Sequence, residues 1–217
     1  YYIFENDRIG GRIAKILMDK ARKGVDVRFI YDDVGSWGLS PLFIKKLRKS
    51  GVKVSCFMPV VFPWLTSKIN YRNHRKIIVV DGEVAFTGGI NIADRYIRRT
   101  KPLGVWRDTH LRIEGGAVNM LQAVFATDWY FVSKKKELLA DYDKYFPVSS
   151  VTNESPIQIA SSGPDSDWAN IMQAFFAAIT KAKRHIYITS PYFLPSQAIL
   201  TALKVAALSG IDVKILI

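Results

Sequence analysis

Gly24-Val25-Asp26-Val27-Arg28-Phe29-Ile30 returns near the other end of the chain as Gly210-Ile211-Asp212-Val213-Lys214-Ile215-Leu216, with glycine, aspartate and cation in matching places. Each copy follows a helical pattern, and upstream of those helices Tyr2-Ile3-Phe4 answers to Tyr192-Phe193-Leu194. An internal echo of this kind marks a duplicated supersecondary unit. In each copy glycine stops a helix, since it adopts the left-handed conformation at no steric cost, and a short β-branched run resumes as a buried strand. Helices alternating with such strands predict an α/β fold, a duplicated unit whose mixed sheet is flanked by helices on both sides.

Helices are expected over 7–23, with Ile9, Ile13, Ile16 and Leu17 at helical spacing, and from Ser40-Pro41 to Gly51, where Ser is the cap and Pro the first helical residue. Further helices are expected over 92–99, 117–132 and 165–181, and from Pro195 or Ser196 to Gly210. Strands are expected over 1–4, 25–31, 52–57, 106–115, 157–160 and 186–190. Residues 134–155 are rich in Lys, Asp, Ser and Tyr and low in apolar periodicity, which predicts a linker. The domain reading is a first half over 1–133, a linker over 134–155 and the start of a second half over 156–217.

The stretch from Asn73 to Asn91 carries the chemistry. It reads as a β-hairpin closed by the two-residue turn Asp81-Gly82, with β-branched residues running in and Val84, Ala85 and Phe86 running out. Side chains alternate along a strand, so His74, Lys76, Ile78 and Val80 share one face and Arg75, Ile77 and Val79 the other. A neutral imidazole can attack phosphorus, while a cation two residues along holds the non-bridging oxygens as charge develops on them. Asp81 could orient an imidazole or shift its pKa, although spacing alone does not say which imidazole it serves. Gly88-Gly89 lets backbone amides approach an anion, and Asn91 adds a side-chain amide where the chain turns.

Charge and composition bound the partners. The 31 Lys and Arg against 19 Asp and Glu give a formal net charge of +12, which fits nucleic acid and an anionic membrane surface alike. No apolar run reaches the about eighteen residues needed to span a bilayer. The single Cys56 excludes an internal disulfide and is expected as a buried small residue of the strand over 52–57. Adjacent Asp32-Asp33 invites a metal reading, but with no other ligand nearby a turn and cap role is expected. The run from Phe57 to Leu65 holds two prolines and many large apolar residues, so it either packs beneath the site or forms an exposed apolar patch. His110, with no Lys two residues on, is expected to be structural.

The H-x-K-x4-D-x6-G-G-x-N string of His74, Lys76, Asp81, Gly88, Gly89 and Asn91 resembles the HKD signature of the phospholipase D superfamily. Its surroundings resemble those of bacterial cardiolipin synthases, through Trp106-Arg107-Asp108-Thr109-His110, Gly115-x-Ala117-Val118, Phe125-x-x-Asp128-Trp129 and Ser190-Pro191-Tyr192-Phe193-Leu194-Pro195. Many superfamily members have Gly-Ser where this chain has Gly88-Gly89, so a hydroxyl contact to phosphate is absent and the pair resembles the cardiolipin-synthase variant.

The resemblance implies phosphatidyl transfer between two phosphatidylglycerols through a phosphatidyl-histidine, giving cardiolipin and glycerol. It implies His74 as nucleophile or its acid/base partner, Lys76 and Asn91 as phosphate ligands beside Gly88 and Gly89, and Asp81 as an orienting carboxylate. No metal or other cofactor is expected, since Lys and amide donors can carry the charge stabilisation. The implied partners are anionic phospholipid and the bacterial cell membrane, with anchoring segments outside this chain. A hydrolytic phospholipase D or a nuclease using the same motif is the rival, and a non-catalytic binder of anionic lipid or nucleic acid a further one. The apolar Pro-rich run, Gly88-Gly89 and the stretch Ser190 to Pro195 argue against nucleic acid. Double displacement needs a second imidazole, and neither His110 nor His185 has a Lys two residues on. His74 follows Gly24 by fifty residues, so the matching histidine is expected about fifty residues after Gly210, beyond Ile217. The chain, which opens on Tyr1, is therefore expected to be a piece of a longer polypeptide, truncated at both ends. Pairing of two copies through their single motifs is the alternative.

Overall fold

The structure, a computed structural model, describes residues 1–60, 72–97, 104–151, 155–163 and 167–217. It divides into two compact units, Tyr1–Ile159 and Ala160–Ile217. The fold is α/β, and among the described residues regular pairing forms three small sheets.

The first unit opens with α1 (Arg8–Arg22), capped by the Asp7 side chain, which accepts from the Gly10 N–H. Its apolar stripe buries Ala14 and Met18 and ends before Gly24, at φ 88. β1 (Arg28–Asp32) follows, then α2 (Pro41–Lys49) with Ser40 as the expected cap and Pro in its first turn. β2 (Lys53–Phe57) lies parallel to β1, Arg28 opposite Lys53, which makes a βαβ crossover. Leu47, Val52 and Phe29 are buried between helices and strands; full burial of one such side chain contributes about 1.5–3 kcal/mol. Residues 1–4 form a single parallel bridge, Phe4 to Ile92, where a strand was expected. Tyr1 O also accepts from Asp32 N–H at 3.2 Å, so the segment lies between β1 and the end of the motif.

Three strands carry that motif: β3 (Ile77–Val80), β4 (Val84–Gly88) and β5 (His110–Glu114) pair as an antiparallel meander. Val80 faces Val84, so the hairpin loop is Asp81, Gly82 and Glu83, one residue longer than expected. Asp81 (φ 54) and Gly82 (φ 72) both lie in the left-handed region and Glu83 N–H returns to Val80 O, the backbone of a type I′ turn with one added residue. β5 begins at His110, four residues later than expected, and of the expected helix after the hairpin the described residues form the 3-10 turn Asp94–Tyr96.

α3 (Ala117–Ser133) joins these parts. Val118 and Leu121 pack on Ala85 and Ile113 of the meander, while Ala126 and Trp129, further along, pack with Ile30 of β1. The stretch expected as a linker is packed as well. It holds α4 (Glu137–Ala140) and α5 (Tyr142–Tyr145), with Leu138 and Phe146 buried against Ile30 and Trp129. Arg28, whose side chain is 5% exposed, bonds Asp26 and Glu137 at 2.7 Å each, and Tyr145 donates to Asp26 at 2.7 Å. Two apolar anchors and one ion cluster fix the segment, a pattern too sparse to register as periodicity.

In the second unit α6 (Asn170–Lys181), β6 (His185–Thr189), α7 (Gln197–Leu208) and β7 (Asp212–Leu216) follow in order, β6 parallel to β7. Residues 157–160, expected as a strand, have no regular structure, and Ile159, the last residue of the first unit, packs beside that unit's own Ile113 cluster. The echo in the sequence is an echo in structure. Gly210 (φ 89) enters β7 as Gly24 enters β1, and Ser190 N–H bonds Leu216 O as Tyr1 N bonds Ile30 O. Among the described residues no helix is long and apolar enough to cross a membrane.

Candidate active site

The C-terminal end of β1 sets the entry to the motif. Asp32, 1% exposed, accepts from Val34 and Gly35 N–H groups at 3.0 Å each and from Asn73 N–H at 3.1 Å. The turn role expected of it is thus its observed role, and it also anchors residue 73. Asn73 Nδ2 and Arg75 Nη1 both reach the buried Asp128 of α3, at 2.8 and 2.7 Å. Arg75 N–H bonds Asn73 Oδ1 at 2.9 Å. These side-chain bonds compete with a β ladder, which explains why regular pairing starts at Ile77 and not at His74.

Alternation survives without the ladder. Asn73 and Arg75 turn toward Asp128, while His74 and Lys76 turn toward Tyr2. The His74 ring stacks on the Tyr2 ring, centroids 3.8 Å apart at 21°. Lys76 Nζ stands 5.4 Å from the same ring centroid and donates to His74 O at 2.7 Å. Burial pushes the His74 imidazole below its ordinary 6.5, the Lys76 ammonium adds to that push, and Asp32 opposes it. The shift favours the neutral imidazole, although the His74 side chain is itself exposed. Burial also lowers the Lys76 pKa, against the opposing field of Asp108.

Gly88 and Gly89 close the site from the adjoining strand. A Cβ on Gly89 would stand 2.4 Å from Asp108 Oδ1, and one on Gly88 2.8 Å from His110 Nδ1. Gly89 N–H bonds Thr109 O at 2.9 Å. The glycines thus admit Asp108 and His110. Asp108 also accepts from the Trp106 indole N–H, and Trp106 meets Tyr96 edge-on at 5.1 Å. His110 is half-buried, and its Nδ1 has no hydrogen-bond partner among the described residues. Asn91 Oδ1 accepts from Ile3 N–H at 3.1 Å, which leaves its NH2 as a donor.

Asp81 is elsewhere. It is exposed at the hairpin tip, beyond the four residues of β3, and makes no hydrogen bond to His74. At about 3.3 Å per residue, β3 alone separates them by roughly 13 Å. Its observed work is to take positive φ at the turn, whose Gly82 packs so closely on Pro147 that a Cβ would stand 2.4 Å from Pro147 Cδ. Asp108 stands against Gly89 of the motif, and its Trp-x-Asp setting was the signal for it. Asp128 had an equal signal in Asp128-Trp129, and Tyr2 had none beyond the repeat.

Cys56, expected buried, is half-buried, with Sγ 3.4 Å from Asp33 Oδ1. Asp33 also accepts from Val60 N–H at 2.7 Å. Of the apolar run, Phe57 packs on Phe131 at 5.4 Å, and Phe62, Trp64 and Leu65 lie outside the described residues.

Residues 1–129 and 175–217 match the family model described as cardiolipin synthase, PLD-like domain. The chain is 52% identical to the cardiolipin synthase of Geobacillus kaustophilus and 50% to that of Geobacillus thermodenitrificans, over its whole length and 43% of each relative. It is 46% identical to cardiolipin synthase 2 of Bacillus cereus, again over its whole length and 42% of that protein. It thus spans less than half the length of these relatives. The fold is similar to that of polyphosphate kinase from Porphyromonas gingivalis, with TM-score 0.53 at 15% identity, over 99% of this chain and 29% of that one. A motif held at the end of a duplicated α/β unit and a family match across both ends of the chain lead to one conclusion: this chain belongs to the cardiolipin synthase, PLD-like domain family.

Proposed function

We propose that this chain carries one half of a site for phosphatidyl transfer between two phosphatidylglycerol molecules. In the first step a nitrogen of one imidazole bonds to phosphorus as the bond from phosphorus to the head-group glycerol oxygen breaks, and a second imidazole gives that oxygen its proton. In the second step the hydroxyl of another phosphatidylglycerol gives a proton to that second imidazole and attacks phosphorus. The P–N bond then breaks, releasing cardiolipin and the free imidazole. His74 is the nucleophile or its acid/base partner. Lys76, the Asn91 NH2 and the backbone about Gly88-Gly89 hold the phosphate oxygens. Asp81 contributes through the turn that carries the motif.

What carries the reading is the His74 imidazole, stacked on Tyr2, beside the Lys76 ammonium on one face of the motif. The second imidazole belongs to a second half, begun at residues 156–217 and completed by chain outside this sequence. Anionic phospholipid at a bacterial membrane surface is the substrate, and the net charge of +12 suits that surface. Incubating the full-length polypeptide with phosphatidylglycerol vesicles and, separately, with single-stranded DNA tests this. Cardiolipin and free glycerol are expected and intact DNA with them; phosphatidic acid alone would mark a hydrolase, and cut DNA a nuclease.

A further inference from the structure

Tyr2 enters no step above, yet both motif side chains rest on it. Its ring lies flat against His74, 3.8 Å between centroids, and beneath Lys76 Nζ at 5.4 Å. The ring occupies a slot that the sequence keeps open. A Cβ on Gly35 would stand 2.8 Å from two Tyr2 ring carbons and 2.3 Å from Tyr2 O, so any side chain there would displace the ring. The backbone is fixed on both sides: Ser36 Oγ donates to Tyr2 O at 3.0 Å, and Ser36 Oγ accepts from Phe4 N–H at 3.1 Å. Ile3 N–H bonds the motif's own Asn91 at 3.1 Å. The slot, the ring and the motif are therefore one rigid assembly.

A nucleophilic or acid/base imidazole must aim one nitrogen at phosphorus or at the leaving oxygen. Rotation about its last torsion is otherwise soft. A flat ring pressed on one face removes most of that freedom. The ammonium gains differently: the negative face of an aromatic ring attracts a cation without neutralising it, as a carboxylate would, so Lys76 keeps its charge for the phosphate oxygens. The same face also dries one side of the imidazole, which favours its neutral form.

We propose that Tyr2 is a positioning residue for the transfer, its ring face orienting the His74 imidazole and seating the Lys76 ammonium. This rests on the reading of His74 as a reacting imidazole and deepens it. The test compares Tyr2→Phe and Tyr2→Leu in the full-length polypeptide, with Tyr2→Met in place of Tyr2→Leu if that variant does not fold. Cardiolipin formation on phosphatidylglycerol vesicles gives kcat, KM and the pH profile. Carbethoxylation of His74 by diethyl pyrocarbonate, followed against pH by peptide mass spectrometry, reports the imidazole without turnover. Tyr2→Phe keeps the ring and is expected to retain most of the rate. Tyr2→Leu is expected to lose about tenfold to a hundredfold in kcat at unchanged KM, with the acidic limb and the His74 labelling curve both moved up toward the ordinary imidazole value. Wild-type kcat in Tyr2→Leu, equal damage in Tyr2→Phe, or one labelling curve for all three proteins would each overturn the proposal. Absence of cardiolipin from the wild type would refute the transfer reading instead, and the labelling would still decide the role of Tyr2.

Discussion

Asp128 is the residue whose loss should damage fold and site together. Its carboxylate takes Arg75 Nη1 at 2.7 Å and Asn73 Nδ2 at 2.8 Å, and these two flank His74. Asp128 is 9% exposed, so Asp128→Ala removes one acceptor each from a guanidinium and an amide with little water at hand. A hydrogen bond to a charged group contributes about 1.5–3 kcal/mol, and a neutral one about 1. The Arg75 side chain is 29% exposed, which lets water recover part of its share. A net loss of about 2 kcal/mol follows, a fall of a few degrees in melting temperature. The rate should fall further than stability does, because a displacement of about 1 Å at a reacting group can cost about a hundredfold. Asp128→Asn keeps one carbonyl acceptor and should be intermediate on both counts. Differential scanning calorimetry with the vesicle assay on the full-length polypeptide checks this. An Asp128→Ala protein that melts within a degree of wild type and keeps more than half its rate would show that α3 does not hold the motif.

His74→Ala should fold normally and lose at least about three orders of magnitude in rate, about 4 kcal/mol of barrier, and more than a tenth of the wild-type rate surviving would remove His74 from the chemistry. Lys76→Ala should be nearly inactive and Lys76→Arg impaired, because a planar guanidinium does not reproduce a compact ammonium; full activity of Lys76→Arg is the contrary outcome. The His74 pKa is lowered on folding, so the unfolded chain binds the proton more readily: stability is unaffected well above 6.5 and falls as pH drops from there toward the lower folded pKa. The acidic limb of the rate profile should accordingly lie below 6.5, and a limb above it would mean that the imidazole is not desolvated. Gly89→Ser restores the hydroxyl common elsewhere in the superfamily but sets its Cβ against Asp108 Oδ1, so it should lower the rate here; an unchanged or higher rate would show that Asp108 moves freely.

What the sequence disclosed and withheld follows from the range of the forces involved. Helix starts and stops were legible because they are local: Ser40, Ser196, Gly24 and Gly210 act within a few residues of themselves. The shared face of His74 and Lys76 was legible because alternation needs only an extended backbone, although the strand itself starts later. Which imidazole Asp81 serves was not legible for the opposite reason. Sequence spacing does not give distance, and four extended residues carry Asp81 to the far end of the hairpin from His74. Asp108 and Asp128 sit next to the motif through β5 and α3, contacts that cross many residues of sequence and leave only a Trp-x-Asp or Asp-Trp as their trace. The segment over 134–155 reads as a linker because its hold on the first unit lies in Leu138, Phe146 and the Arg28 ion cluster, not in a periodic face.

The repeat adds a constraint that neither unit gives alone. In the first unit the opening segment sends Tyr2 beneath the His74 imidazole and Phe4 into the core, where it is 1% exposed. The second unit repeats that segment as Tyr192-Phe193-Leu194, and there Phe193 packs inward while Tyr192 is 76% and Leu194 91% exposed. The apparatus that seats an imidazole in one unit thus has its ring in the other without an imidazole upon it. On the proposed reading Tyr192, at the end of β6 and β7, is the counterpart of Tyr2, which carries His74 at the end of β1. If transfer proceeds as proposed, with a nucleophile on one side of phosphorus and a proton donor on the other, two such seats would hold two imidazoles in the same local geometry, and the order of leaving group and acceptor would decide which one acts as which.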